Sequence, residues 1–463
     1  MIDFNNIQNI YFLGIGGIGM SALARFANHA GKNVAGYDLT RTPLTEQLSN
    51  EGITIHYTED LNQLPSQFLV VNTLVVRTPA VPEAHKELQY FSSNGYQIVK
   101  RSELLGFLTQ GRQCVAVAGT HGKTSVSTMT TLLLEGSGID VGAFLGGISR
   151  NFNSNLVLPQ SANSLVVTEA DEYDRSFLQL KPSLAVITSV DPDHLDIYGD
   201  YESVIEAFNQ FADNIVDGGT LLYKKGINVL KNQSIRLNIF TYSTTDEADF
   251  CAKRLKVIDG AYQFDIVAPH LVIKDVRLEY PGRVNVENIL AAAAAALLSG
   301  ADPLLVKQSI STYKGVQRRF DIRFKNDKVI YIDDYAHHPE EIKATVNSVK
   351  ELYPGKKVLG IFQPHLFTRT RDFVDGFATS LDLLDEAILL EIYPAREVAI
   401  PGITTEIIIE KMKSKCKTRC SIEDVISLIS EKQYDVLMTM GAGNIDQLIE
   451  PICEMLEIKT SAL

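Results

Sequence analysis

The chain has 463 residues, 45% of them hydrophobic, and a net charge of −13. That length allows two to four domains, each with a core of its own, and the hydrophobic share is ordinary for a globular protein. The acidic balance excludes broad nucleic-acid binding, which needs clustered Lys and Arg, but leaves room for a nucleotide held by a few local cations.

Taken in order, the start (Met1-Ile-Asp-Phe-Asn-Asn6) has no basic segment leading into an apolar run, so no secretory leader is expected. Ile10-Tyr-Phe-Leu13 reads as a short buried strand, the glycine loop Gly14-Ile-Gly16-Gly17-Ile18-Gly19 follows, and 20–30 has helical spacing. Asn33-Val-Ala-Gly-Tyr-Asp38 reads as a second strand ending in an acid. A Gly-x-Gly-x-x-Gly loop between strand and helix, with an acid about 20 residues on, marks a site for a diphosphate-bearing nucleotide and leaves NAD and a UDP-sugar both open. Runs at 69–76 and 97–100 complete a small α/β domain, and 101–113 is expected to be a connection.

Val115-Ala-Val-Ala118 is the next buried strand, and Gly119-Thr120-His121-Gly122-Lys123-Thr124 is a tight loop entering a helix from Ser125. Backbone N–H groups and the helix dipole there suit a phosphate, Lys123 adds a point charge, and the Thr124 hydroxyl suits Mg²⁺. The alternative is a glycine turn before an ordinary helix; Gly-Lys-Thr in this setting favours ATP. Two later strands, 164–169 and 184–190, deliver the acid clusters Glu169-Ala-Asp-Glu-Tyr-Asp174 and Asp191-Pro-Asp-His194-Leu-Asp196. In a parallel sheet these ends gather on the edge that carries the phosphate loop. Otherwise the acids cap helices and His194 is a surface residue.

Short alternating strands are expected over 217–280, then an alanine-rich helix over 284–299, which reads as structural. Asn285 and Asn288 on it suit an adenine edge or a helix cap equally. From about 315 a third segment repeats strand, polar loop and helix: strand 328–334 leads to Asp334-Tyr-Ala-His337-His-Pro339, strand 357–362 to Gln363 and on to Thr368-Arg369-Thr-Arg371, strand 386–392 to Tyr393-Pro-Ala-Arg396-Glu397, and strand 434–440 to Gly441. This is another doubly wound pattern. Arg369, Arg371 and Arg396 suit a carboxylate, or surface ion pairs. The five scattered cysteines lack a zinc pattern and read as reduced thiols, and the apolar run 291–298 is far too short to span a bilayer. A dehydrogenase needs no phosphate loop with acidic strand ends, whereas an ATP-driven ligase holding a nucleotide-tagged substrate needs both.

These motifs together resemble the Mur ligases of peptidoglycan synthesis nearly end to end: Gly14 to Met20, Gly119 to Thr124, Glu169-Ala-Asp-Glu172, Asp193-His194, Arg318-Arg319-Phe320, Asp334 to Pro339, Thr368 to Arg371, Tyr393 to Glu397 and Gly441-Ala-Gly443. The first loop, the His-His-Pro loop and the Tyr-Pro-Ala segment point to the L-alanine-adding branch. The resemblance implies three α/β domains: a Rossmann-like UDP-sugar domain over 1–105, a central P-loop ATP domain with a parallel or mixed sheet over 106–315, and a Rossmann-like amino-acid domain over 316–463. It implies ADP-forming ligation of L-alanine to the lactyl carboxylate of UDP-N-acetylmuramate through an acyl phosphate. The acidic charge, the start without a leader pattern and the lack of a spanning run make a cytoplasmic protein without nucleic acid or membrane the expectation, as a monomer or weak homodimer.

By motif position, Gly14, Gly16, Gly17, Ile18, Gly19 and Asp38 would take the UDP moiety. Residues Gly119, Thr120, His121, Gly122, Lys123, Thr124 and Ser125, with Asn285, Asn288, Arg319 and Asp334, would take ATP. Thr124, Glu169 and His194 would hold Mg²⁺, with Mn²⁺ the other metal that hard oxygen ligands suit. Lys123 and His194 would act on the transferring phosphoryl, and His337, Arg369 and Arg371 would orient the alanine, with domain closure assembling the site. Three departures stand out: Val284 where the family often has histidine, Tyr173 where the alanine branch often has serine, and Arg77-Thr-Pro-Ala80 in place of a small hydroxyl-rich turn. Tyr173 also fits a recycling ligase that attaches a ready-made tripeptide (L-Ala-γ-D-Glu-meso-diaminopimelate) to the same UDP-sugar. A nucleotide-binding protein without ligase activity is the remaining alternative.

Overall fold

The computed structural model describes residues 6–70, 72–161, 163–192, 195–228, 236–258, 261–395 and 397–461. These residues build three sheets. The first has five parallel strands in the spatial order Thr54–His56, Asn33–Tyr37, Asn9–Leu13, Thr73–Arg77 and Gln97–Lys100. All five residues of Asn9–Leu13 are buried, because the strand is covered on both faces. The strand order reverses beside it, and the first glycine loop leaves from that switch point into the helix Ile18–His29.

Two local expectations fail here. Of the run 69–76, only Thr73–Arg77 overlaps a strand; Leu69 closes a 3₁₀ turn, Ser66–Phe68, and Leu69 and Val70 are exposed rather than core. The expected connection 101–113 is mostly a helix, Arg101–Thr109. The Glu103 carboxylate accepts from the Lys100 N–H at its start, and Leu104, Leu105 and Leu108 bury one face.

The second sheet has ten strands. Its middle runs Thr220–Lys224, Leu184–Ile187, Cys114–Ala118, Leu165–Glu169, Val141–Ser149, with adjacent members parallel, and Ser154–Val157 closes one edge antiparallel. On the far side come Asn238–Ser243, Phe250–Ile258, Ala261–Ala268 and Leu271–Leu278. The third sheet has six strands in the order Asp321–Lys325, Ile330–Asp334, Val436–Met440, Val358–Phe362, Glu386–Leu389 and Lys417–Arg419, parallel except for the first.

The chain divides into two compact units. One comprises Met1–Lys256, Gln263–Arg277 and Glu287–Tyr313; the other Val257–Tyr262, Leu278–Val286 and Lys314–Leu463. Within the first unit the five- and ten-stranded sheets share one core, in which Phe12, Ile15 and Leu23 belong to the same cluster as Phe144, Val166 and Ile187. A buried amide ties them further: Asn155 Nδ2 donates to the Ile18 carbonyl (2.6 Å) and the Ser21 hydroxyl (2.9 Å), and Arg25 donates to Asn155 Oδ1 (2.8 Å). The second unit has its own core around Tyr331, Leu359, Ile388, Leu437 and Ile452. Its early segment is anchored by the Tyr280 hydroxyl, which donates to the Arg319 carbonyl, and by Arg283 Nε, 2.9 Å from Glu351 Oε1.

Candidate active site

The phosphate-type loop begins where Cys114–Ala118 ends. Gly119 (φ 140°) and Gly122 (φ 84°) occupy the left-handed region that a side chain disfavours. At Gly119 space forbids one as well, since a Cβ would lie 2.0 Å from Thr188 Oγ1. Gly122 is the N-cap of the helix Lys123–Gly136, so the first N–H groups of a fourteen-residue helix open onto the loop, with Ser125 half-buried in its first turn.

Strand register brings the two acid clusters to this loop. Leu165–Glu169 and Leu184–Ile187 flank Cys114–Ala118 with Val117 opposite Glu169 and Ala118 opposite Ile187, so all three strands end on one edge. Ser189 Oγ accepts from the His121 N–H (2.8 Å) and lies 2.8 Å from the Thr120 hydroxyl, which also donates to Asp191 (3.2 Å). The Thr124 hydroxyl donates to Glu169 Oε2 at 2.8 Å. Gly146 makes room for that carboxylate, because a Cβ there would meet Glu169 Oε2 at 1.8 Å. The cap of the helix Tyr201–Asp213 is Asp200, outside both acid clusters, whose carboxylate accepts from the Ser203 N–H.

Lys123 Nζ donates to the Gly119 carbonyl (2.7 Å) and to Glu172 Oε1 (2.9 Å). Burial works against its charge, but Glu172, Glu169 and Asp171 outweigh that and hold its pKa above the ordinary lysine value. The ammonium is therefore charged and held over the loop. Asn288 Oδ1 lies 2.9 Å from where a Cβ on Gly122 would stand, which places this amide beside the helix start.

The first glycine loop lies in the same unit. Asp38 Oδ2 accepts from the Gly16 N–H (2.7 Å), and Asp38 Oδ1 accepts from Thr40 (3.1 Å), so this acid orders the loop's backbone. Gly17 caps the helix that begins at Ile18 and Gly19; Gly14 (φ 84°) packs under Thr78, whose methyl would lie 2.5 Å from a Cβ there. A cavity of about 240 Å³ runs from Gly17–Gly19 past Thr78 and Arg101 to Gly146, Thr168, Glu169 and Asp171. Glu169 in its far wall is the acid that accepts from Thr124 of the phosphate loop.

In the second unit, Asp334 is buried and accepts from Ala336 N–H (2.9 Å), Phe320 N–H (3.1 Å) and the Thr345 hydroxyl (3.1 Å). Burial pushes its pKa up to about 6, against the pull of Arg319. Arg319 stands over the Tyr335 ring (5.4 Å), between Arg318 and Phe320, both at positive φ (61° and 48°). His337 Nδ1 faces the Tyr335 carbonyl at 2.9 Å; burial lowers its pKa, as does the Arg369 charge, while Glu341 opposes them. Arg371 is half-exposed and paired with Asp372 (2.7 Å), and Asn285 Nδ2 donates to the Pro281 carbonyl (2.6 Å). His194 and Arg396 lie outside the described residues. Sequence reasoning missed Thr188, Ser189, Arg101 and Gly146; Thr188 and Ser189 carried a readable signal, being the first polar residues after an apolar strand.

A glycine loop at a helix start, a phosphate-type loop with a charged lysine, and a Thr–Glu oxygen pair beside it fit an ATP-using ligase. Family models agree: the Mur ligase family catalytic domain matches residues 9–113, the Mur ligase middle domain 117–296, and the Mur ligase glutamate ligase domain 318–443. The chain belongs to the Mur ligase family and has its three-domain α/β fold. A UDP-N-acetylmuramate–L-alanine ligase of Parabacteroides distasonis is 50% identical over 456 residues, covering 98% of each chain. The crystal structure of the UDP-N-acetylmuramate-alanine ligase of Thermotoga maritima superposes with a TM-score of 0.80 at 26% identity, over 97% of this chain and 99% of that one. A murein peptide ligase of Psychrobacter arcticus shares the fold with a TM-score of 0.70 at 24% identity, over 97% and 98%.

Proposed function

We propose that this protein joins L-alanine to the lactyl carboxylate of UDP-N-acetylmuramate, converting ATP to ADP and phosphate, in the making of peptidoglycan precursors. One observation carries the reading: end-to-end similarity to L-alanine-adding ligases in a chain whose Lys123, Thr124 and Glu169 meet at one phosphate loop. The carboxylate oxygen attacks the γ-phosphorus, ADP leaves, and the acyl phosphate forms. The alanine amine then attacks the acyl carbon, loses a proton, and expels phosphate. The chain must neutralise charge as two anions approach, then keep water from the anhydride.

Lys123, already charged, stabilises the transferring phosphoryl, and the loop 119–125 binds the other phosphates through its N–H groups. Thr124 and Glu169 form a hard-oxygen pair 2.8 Å apart that fits Mg²⁺, with Mn²⁺ the other fitting ion. Among the described residues no group of three His, Cys, Asp or Glu could by itself hold a metal, so phosphate oxygens and water would complete its shell. The ion supplies neutralisation of phosphate charge. His194 belongs to the same proposal by motif position.

Gly14, Gly16, Gly17, Ile18 and Gly19 are assigned to the UDP diphosphate, with Asp38 holding the loop that receives it. Asn285 and Asn288 are assigned to adenine, Arg319 and Asp334 to ATP, and His337, Arg369 and Arg371 to the alanine. His337, neutral at pH 7, suits an ammonium group that donates to it. We retain 1–105, 106–315 and 316–463 as domain boundaries. We assign the protein to the cytoplasm as a monomer or weak homodimer; among the described residues no helix is long and apolar enough to cross a membrane.

The test is phosphate release with ATP, Mg²⁺ and UDP-N-acetylmuramate, adding L-alanine or the tripeptide L-Ala-γ-D-Glu-meso-diaminopimelate. Release with L-alanine is expected. Release with the tripeptide alone would make the protein a recycling ligase, and silence with both would overturn the reading.

A further inference from the structure

The cavity that runs from the first glycine loop to Glu169 and Asp171 has a single cation in its wall. Of its lining residues only Arg101 is basic, while Glu169 and Asp171 are acidic. Arg101 opens the helix Arg101–Thr109 and reaches across the mouth of the first loop, so that a Cβ on Gly19 would lie 2.9 Å from its Nη1 and 3.1 Å from its Cδ. Its far amino group, Nη2, donates to Asp171 Oδ2 at 3.3 Å, a long contact for a charged pair, and Arg101 is 22% and Asp171 40% exposed. A guanidinium thus lies over an anion-receiving helix start and is held there by a weak, partly solvated bond.

The first loop alone is short of positive charge. The dipole of the helix Ile18–His29 is equivalent to about half a charge, whereas a sugar-linked diphosphate carries about two negative charges. No lysine or arginine occurs between residues 14 and 24, and Arg25 is committed to Glu51 (2.8 Å) and Asn155 (2.8 Å). The carboxylates at the cavity's other end would repel the substrate further.

We propose that Arg101 is the cation that binds the diphosphate of the UDP-sugar, and that Asp171 holds it over the loop until the substrate takes it. The planar fork suits two phosphate oxygens, and giving up a long, half-exposed ion pair costs at most a small part of what that contact returns. This rests on the UDP-sugar reading of the loop. An inter-sheet staple is the competing role, in which Arg101 and Asp171 matter only to each other.

The experiment measures binding of UDP, and separately of uridine, to the full-length protein by calorimetry, with thermal melting alongside. For Arg101→Met, affinity for UDP should fall about 10- to 100-fold, uridine should bind as to wild type, and Arg101→Lys should recover part of the loss. Asp171→Asn should bind UDP at least as tightly as wild type. Equal UDP affinity in wild type and Arg101→Met, or an equal loss in Asp171→Asn, would overturn the proposal while leaving the UDP reading intact. Failure of the wild-type protein to bind UDP would overturn both. If Arg101→Met melts too early to assay, the Arg101→Lys and Asp171→Asn pair decides alone: both weaker by the same factor means a staple, only the first weaker means a ligand.

Discussion

Lys123 and Glu169 meet the same loop under opposite constraints. Lys123 is fixed by a carbonyl and a buried carboxylate, so replacing it removes a charge and also strands Glu172, which is 1% exposed. Truncating one member of a buried pair costs about 3–5 kcal/mol. Lys123→Met should therefore lower both turnover, by about 10²- to 10³-fold as for loss of one oxyanion-stabilising group, and the melting temperature. Lys123→Met/Glu172→Gln should regain the melting temperature but not turnover; recovery of both in the double variant would assign Lys123 a structural role only. Glu169 depends instead on an absence. Gly146→Ala would put a methyl 1.8 Å from its Oε2 and drive the carboxylate off Thr124. The Mg²⁺ concentration giving half-maximal activity should then rise at least about 10-fold, the effect typical of disturbing a metal's supporting shell, with the fold retained. An unchanged Mg²⁺ titration would remove Glu169 from the metal.

At the scale of elements, the first sheet carries a buried polar chain that no motif announced. Tyr11 in the central strand has its hydroxyl 2.6 Å from His56 Nε2 and 2.7 Å from Glu87 Oε2, and His56 Nδ1 lies 2.9 Å from the Thr58 carbonyl. A carbonyl only accepts, so Nδ1 carries the proton. Tyr11 has one proton for two acceptors: it donates to Glu87 Oε2 while that carboxylate is ionised, and to His56 Nε2 when Glu87 is protonated and can donate in turn. Burial raises the Glu87 pKa from 4.5 to about 7, against the Tyr11 hydrogen bond and with Glu59 and Asp60 adding to it, while burial pushes His56 and His85 below the ordinary histidine value. The sign follows: below pH 4.5 both folded and unfolded chains hold the proton, and between 4.5 and about 7 only the folded one does, so this contribution to stability falls as pH rises. It amounts to about 3 kcal/mol at most, from about 1.4 kcal/mol per pH unit. Glu87→Gln, which keeps a donor at all pH values, should gain on wild type steadily between pH 4.5 and 7.5 in urea unfolding; parallel curves would refute it.

Strand, glycine loop and helix start were legible because each is written in adjacent residues, and the convergence of Glu169 on the loop followed from parallel pairing alone. What stayed hidden depends on residues far apart in sequence. Asn155 reaches back to Ile18 and Ser21 across more than a hundred residues, Ser189 meets His121 only because two strands are neighbours, and Gly146 matters for the carboxylate opposite it. The helix Arg101–Thr109 was missed because its capping carboxylate, Glu103, sits inside it behind a lysine and an arginine, with no Ser, Thr, Asp or Asn at its N-cap. The apolar run at 69–76 misled because hydrophobicity alone does not bury a segment.

For the whole molecule, the second unit draws on chain that precedes most of it. Residues 278–286 supply Tyr280, whose ring would meet a Cβ on Gly315 at 2.3 Å and whose hydroxyl donates to Arg319, and Arg283, which pairs with Glu351. A fragment of residues 314–463 should therefore melt lower and less cooperatively than the same fragment supplied with a peptide of residues 278–286. No gain on adding the peptide would mean these contacts contribute nothing to the unit's stability.

The Asn155 clasp and the shared core make the first glycine loop and the phosphate loop parts of one packed body, with a cavity that runs from the first loop to Glu169, the partner of Thr124. On the proposed assignments, with UDP at the first loop and ATP phosphates at the second, an inhibitor could join the two subsites into one. A uridine diphosphate fragment tethered through that cavity to a phosphate mimic would bind its second end at a high effective concentration, and a short rigid tether would lose little entropy because neither anchor point has to move to meet it.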